Sequence, residues 1–135
     1  MRRLGTTYNS QGMPEKLSSY SDTSGSTVAN EVLRQYNGLM QIISEYQSEN
    51  GPVNTSTSPK VDYNFSYMAS GANHSRLVST IYPNGRIVTM NYAGGIDSNV
   101  SRVTAMTDVS GMLESYLYLG SSAIVGGLRR GQRRS

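Results

Sequence analysis

The chain has 135 residues, 36% of them hydrophobic, with no cysteine, no tryptophan and one phenylalanine against ten tyrosines; this supports one modest folded region and excludes a disulfide scaffold or a thiolate metal site. Twenty-one Ser, ten Thr, ten Asn and fourteen Gly favour short strands joined by tight turns over a helical bundle. The formal charge of +3 comes from the ends, where Arg2, Arg3, Arg129, Arg130, Arg133 and Arg134 supply six of the twelve cations, while residues 4–128 hold six cations against nine anions, so no basic face is laid out for nucleic acid.

In chain order, Met1, Arg2 and Arg3 resemble the start of an export signal, but residues 4–14 are polar and no hydrophobic segment follows, so no signal peptide is expected and the compartment stays open. No run of eighteen apolar residues occurs, and no membrane span is expected. Strands are predicted over residues 16–20, 32–36 and 41–46, with 22–27 and 49–59 as loops. Within 28–47, however, Val28, Val32, Leu33, Tyr36, Met40 and Ile43 recur every three or four residues, which also fits a short amphipathic helix; Asn37-Gly38 at its centre argues for a hairpin instead. A clean alternation follows, with Val61, Tyr63, Phe65 and Tyr67 on one face and Asp62, Asn64 and Ser66 on the other. Strands over 76–82 and 86–92 flank Pro83-Asn84-Gly85, and strands over 101–107 and 113–119 flank 108–111. Residues 121–135 read as a basic, flexible tail.

Four segments share one design: Tyr8 to Gly12 followed by Met13; Tyr36 to Met40 followed by Gln41 and Ile42; Tyr82 to Gly85 followed by Arg86 and Ile87; and Thr107 to Gly111 followed by Met112 and Leu113. Each leaves a strand through an aromatic residue or Thr, starts a turn on Asn, Asp or Pro-Asn, and re-enters a strand on an aliphatic residue. In this the sequence resembles the YD-repeat, or Rhs-repeat, family, whose unit reads approximately Tyr-Asp-x-x-Gly-Arg-Leu. The matching positions are Tyr8, Gly12, Tyr36, Gln41, Ile42, Tyr82, Gly85, Arg86, Ile87, Asp108, Gly111 and Leu113. Asn9 and Asn37 stand in for Asp, Met40 for Gly, Thr107 for Tyr, and Met13 and Met112 for Arg, and the third copy is one residue short.

The resemblance implies an all-β antiparallel meander over residues 1–120, an open sheet that is a fragment of a β-spiral shell. In the family such shells enclose or present a toxin or effector domain, so the expected function is structural and not enzymatic. The expected partners are further repeats, or another copy through open sheet edges. The alternative is a carbohydrate- or peptide-binding module with Tyr63 and Tyr67 facing the ligand. The family's Asp-Pro cleavage signal has no counterpart here, because no Asp-Pro pair occurs.

Other chemistry finds little support in the residues. His74 is the single histidine and reads as a loop residue. The acidic residues lack metal-ligand spacing, and Asp22-Thr-Ser-Gly25 reads as a turn; no cofactor or metal is implied. Four N-glycosylation sequons start at Asn54, Asn64, Asn73 and Asn99, as chance allows in a chain of this composition.

Overall fold

A computed structural model describes residues 3–67, 74–120 and 123–131. Arg2, Asn73, Arg133 and Arg134, which figured among the expectations above, lie outside the described residues. The elements are β1 (Arg3–Tyr8), β2 (Pro14–Tyr20), β3 (Val28–Tyr36), β4 (Ile42–Ser48), β5 (Lys60–Tyr67), β6 (Ser75–Ile81), β7 (Ile87–Asn91), the single-turn α1 (Ile96–Asn99), β8 (Ala105–Asp108), β9 (Gly111–Leu119) and β10 (Ala123–Arg129). Strand order equals chain order, so the fold is an open antiparallel meander with β1 and β10 as terminal strands. Two compact units divide within β5, between Tyr63 and Asn64.

In the first unit, β3 and β4 settle the ambiguity at 28–47 in favour of the hairpin, with Leu33 opposite Tyr46 and Arg34 opposite Glu45. The helix-like spacing arises because the register shifts next to Tyr36 and the turn restarts the side-chain alternation, which scrambles a period of two. Leu33 and Tyr46 are the buried apolar side chains here, joined by Ser18, Ser19, Glu31 and Ser44. The Glu31 carboxylate is held by the Ser18 hydroxyl at 2.7 Å and the Val53 N–H at 3.1 Å. That second bond folds the loop before β5 back onto β3, where Gly51 N–H also donates to the Ala29 carbonyl at 2.8 Å. A buried carboxylate with donors from two elements avoids the cost of an unpaired charge. Along β5, Val61, Tyr63 and Phe65 are half-buried, but so are Asp62 and Ser66. Asp62 tolerates this because the Ser44 hydroxyl donates to it at 2.6 Å and Lys60 lies 2.9 Å away.

In the second unit Val88 and Thr80 are buried. The strand expected over 101–107 is cut to Ala105–Asp108. Ser101 takes a positive φ of 54° after α1, and the Thr104 backbone and hydroxyl both bond the Asn91 carbonyl instead of continuing a ladder. Two strands exceed the expectation. β1 pairs with β2 from Arg3↔Tyr20 to Tyr8↔Pro14. β10 pairs with β9 from Ala123↔Leu119 to Arg129↔Glu114, so residues 123–129 of the segment read as a flexible tail form a strand, its last pair tied by an Arg129–Glu114 ion pair at 2.9 Å. The terminal strands are therefore β1 and β10, not the strands over 16–20 and 113–119.

Candidate functional site

One turn geometry recurs along the chain, and it corrects the alignment read from the sequence. At Asn9 the backbone exchanges bonds with the residue four ahead, Asn9 N–H donating to the Met13 carbonyl at 2.9 Å, while Gly12 N–H donates back to the Asn9 carbonyl at 3.0 Å. Asn37, Gln41 and Met40 repeat this pattern at 3.0 and 3.1 Å, and Tyr82, Arg86 and Gly85 repeat it at 2.9 Å for both bonds. Tyr82 thus occupies the place of Asn9 and Asn37, with Ile81 in the place of Tyr8 and Tyr36. The third copy is complete and one residue out of step, because its turn is anchored by the left-handed residue and not by the tyrosine.

That left-handed position is Gly12, Met40, Gly85 and Gly111, with φ of 79°, 61°, 79° and 105°. Glycine adopts such values without steric cost, whereas methionine does not. Asn9, Asn37 and Asp108 add a second layer of control. Their side-chain oxygens accept from the N–H two residues on, at 2.9 Å to Gln11, 2.9 Å to Leu39 and 2.8 Å to Ser110. Asn9 and Asn37 also accept from Met13 and Gln41, at 2.9 and 3.0 Å. Asn9 and Asn37 therefore supply the same acceptor to their turns as Asp108 does.

Within each unit the two turns touch. Gln11 donates to the Asn37 carbonyl at 3.4 Å, and Arg86 grips Asp108 through Nε at 3.1 Å and Nη2 at 2.9 Å. The Ser110 N–H, with Arg86 and Arg130 beside it, holds the Asp108 carboxyl below its ordinary range.

A second recurrence went unread in the sequence. Arg76 stacks on the Tyr92 ring at 4.0 Å, and Arg102 on the Tyr118 ring at 4.2 Å. The Tyr92 hydroxyl donates to the Leu77 carbonyl at 2.6 Å, as Tyr118 does to Val103. Arg, turn-start residue, Gly and Tyr all recur at an offset of 26 residues: 76 and 102, 82 and 108, 85 and 111, 92 and 118. In the first unit Arg3 lies 5.8 Å from the Tyr20 ring, with Arg3 again six residues before its turn start at Asn9. In the second hairpin this cross-strand pair is Glu31 and Ser48. The readable signal was an arginine six residues before the first, third and fourth turns and a tyrosine ten or eleven after each of these.

Tyr116 and Tyr118 are neighbours on one strand, 6.4 Å apart and tilted by 43°, while Tyr82 sits in a turn. Tyr67, one of the two candidate ligand-facing residues, is exposed and Tyr63 is half-buried. A shallow concavity of about 390 Å³ lies along β1 to β3, lined by Leu4, Leu17, Ala29 and Val32 with Ser19 and Asn30. The Ser19 hydroxyl donates to Asn30 at 2.7 Å there, and the Ser18 hydroxyl is turned to Glu31.

Asp22 closes its loop on itself. The Ser24 hydroxyl and the N–H groups of Ser26, Thr27 and Gly25 converge on the carboxylate and hold it far below the usual range, so the loop is a filled anion nest. His74 stands just before β6, and its Nδ1 has no hydrogen-bond partner among the described residues. Among those residues no three His, Asp or Glu side chains gather as metal ligands, and no helix is long and apolar enough to cross a membrane. No protein-family model matches the sequence, and no curated protein matches it.

Proposed function

We propose that this chain is a non-catalytic structural repeat segment of the YD/Rhs kind, part of a sheet that encloses or presents another domain. The observation that carries the reading is the shared turn. Asn9, Asn37 and Tyr82 start turns with the same backbone bonds, Asp108 starts a fourth with its own side-chain acceptor, and each places a left-handed residue three positions on. The polar side chains at the turns bond to backbone or to the next turn, which uses them for architecture and leaves them little capacity for substrate. Arg86–Asp108 and Gln11–Asn37 act as rungs between hairpins, and further hairpins would be added at β1 and β10.

Arrays of glycans and of extended peptides, probed with the purified chain, test this reading against the binding-module alternative. A scaffold gives no saturable signal. Saturable binding that Tyr67→Ala abolishes, with the β-type circular dichroism retained, would replace the scaffold reading with the module.

A further inference from the structure

The second unit has a charged face and a neutral face, and they are separated completely within its strands. Arg86 bonds Asp108, Arg129 bonds Glu114, and Arg76 stacks on Tyr92. Alternation and register place all of these on one side: Val88 is opposite Thr80, Met90 opposite Met106, Met106 opposite Glu114, and Glu114 opposite Arg129. Every charged residue within β6 to β10, namely Arg76, Asp108, Glu114 and Arg129, is therefore on that face. The other face carries only neutral groups. Asn91 bonds Thr107 at 3.0 Å and Asn64 bonds Ser79 at 2.9 Å across it. It also leaves Leu117 and Leu119 each 68% exposed and Ile87 43% exposed. These exposed apolar side chains offer surface on which another layer can pack.

We propose that the neutral face of the second unit packs against the same face of a second copy, forming a two-fold sheet sandwich. Two arguments select a second copy. The face bears no charge, so it meets itself without repulsion, whereas the opposite face, with Arg76, Arg86 and Arg129 against Asp108 and Glu114, keeps an excess of positive charge that would meet its own duplicate. The area is also sufficient. Five strands about 4.8 Å apart and about seven residues long outline roughly 500 Å² in projection; with side-chain relief, two such faces bury on the order of 1,200 Å², the lower end of a specific interface. The interface is isologous, with Leu117 and Leu119 of β9 buried within it. It is distinct from edge-to-edge pairing through β1 or β10 and does not rest on the scaffold reading.

Analytical ultracentrifugation of the full chain between about 1 and 100 micromolar tests this. The wild type should sediment as a reversible dimer of a 14.7 kDa chain. Leu117→Asp should weaken the dimer at least about tenfold with unchanged circular dichroism, and Ile124→Lys, opposite Tyr118 on the charged face, should leave it intact. If Leu117→Asp fails to fold, the absence of native cysteine allows a spin label at Leu119→Cys, which should show coupling between copies, while a label at Ile124→Cys on the charged face should not. A wild type that stays monomeric at every concentration overturns the proposal. So does a dimer that Ile124→Lys abolishes and Leu117→Asp leaves alone, or labels that couple at residue 124 and not at 119.

Discussion

Met40 is the one residue of the four left-handed turn positions that is not glycine, and the turn around it gives opposite expectations at two neighbouring sites. At φ 61° a side chain with a Cβ costs about 1 to 2 kcal/mol relative to the right-handed regions. Glycine removes that cost but returns about 0.5 to 1 kcal/mol through the freedom of the unfolded chain. Replacing Met40 by both Ala and Gly cancels the loss of its side chain, which is 53% exposed. Met40→Gly should therefore be more stable than Met40→Ala by about 0.5 to 1 kcal/mol. Two residues earlier, Gly38 lacks a left-handed φ and a Cβ there would meet nothing within 4 Å, so Gly38→Ala should stabilise by about 0.4 to 1 kcal/mol. Urea unfolding followed by circular dichroism reads both effects as shifts of the midpoint at constant slope. Equal stability of Met40→Ala and Met40→Gly, or a destabilising Gly38→Ala, would show that the turn is not built as described.

At the third turn, Gly85→Val places a β-branched residue at φ 79° with open space around it; a loss of at least about 1 kcal/mol is expected from backbone strain alone, and an unchanged melting temperature would refute it. Tyr92→Phe and Tyr118→Phe each remove one long-range hydroxyl-to-carbonyl bond, so each should cost about 1 kcal/mol, and the two values should agree within a few tenths if the sites are equivalent. Asp22, Asp108 and Glu114 all have folded pKa values lowered by their donors, Ser24, Ser110 and Arg129 foremost. The unfolded chain then binds more protons in acid, so stability is full above the ordinary carboxylate values of 3.8 and 4.5 and is lost as pH falls through the lowered ones. Acid titration monitored by circular dichroism checks this, and Asp108→Asn should flatten the acid limb.

Much of the fold was legible because turns are local chemistry. Pro83-Asn84-Gly85 fixes two dihedral choices by itself, and the alternation from Val61 to Tyr67 gives a strand with no knowledge of its neighbours. β1 and β10 were not legible for a related reason. Neither has a strong local pattern: β1 begins on Arg3 and includes Gly5, β10 includes Gly126 and Gly127, and each is a strand because a partner offers a ladder. The alignment of the third turn failed since tyrosine is the conspicuous side chain, while the geometry is set by the residue with positive φ. Arg76 and Tyr92 lie sixteen residues apart, and only the hairpin between them makes them neighbours. Charge segregation in the second unit likewise required register, because the shift between Met106 and Thr107 changes which residues of β9 share a face with β8.

The most direct test of the recurring turn is nuclear Overhauser spectroscopy of the backbone amides in solution. Cross-strand amide contacts should appear between Asn9 and Met13, Asn37 and Gln41, and Tyr82 and Arg86, with strong sequential Hα-to-amide contacts through β3 and β4 on either side of the second turn. A continuous run of sequential amide-to-amide contacts from Val28 to Gln47, or contacts at Tyr82 that place its partner anywhere but Arg86, would contradict the shared hairpin geometry on which the proposed function rests.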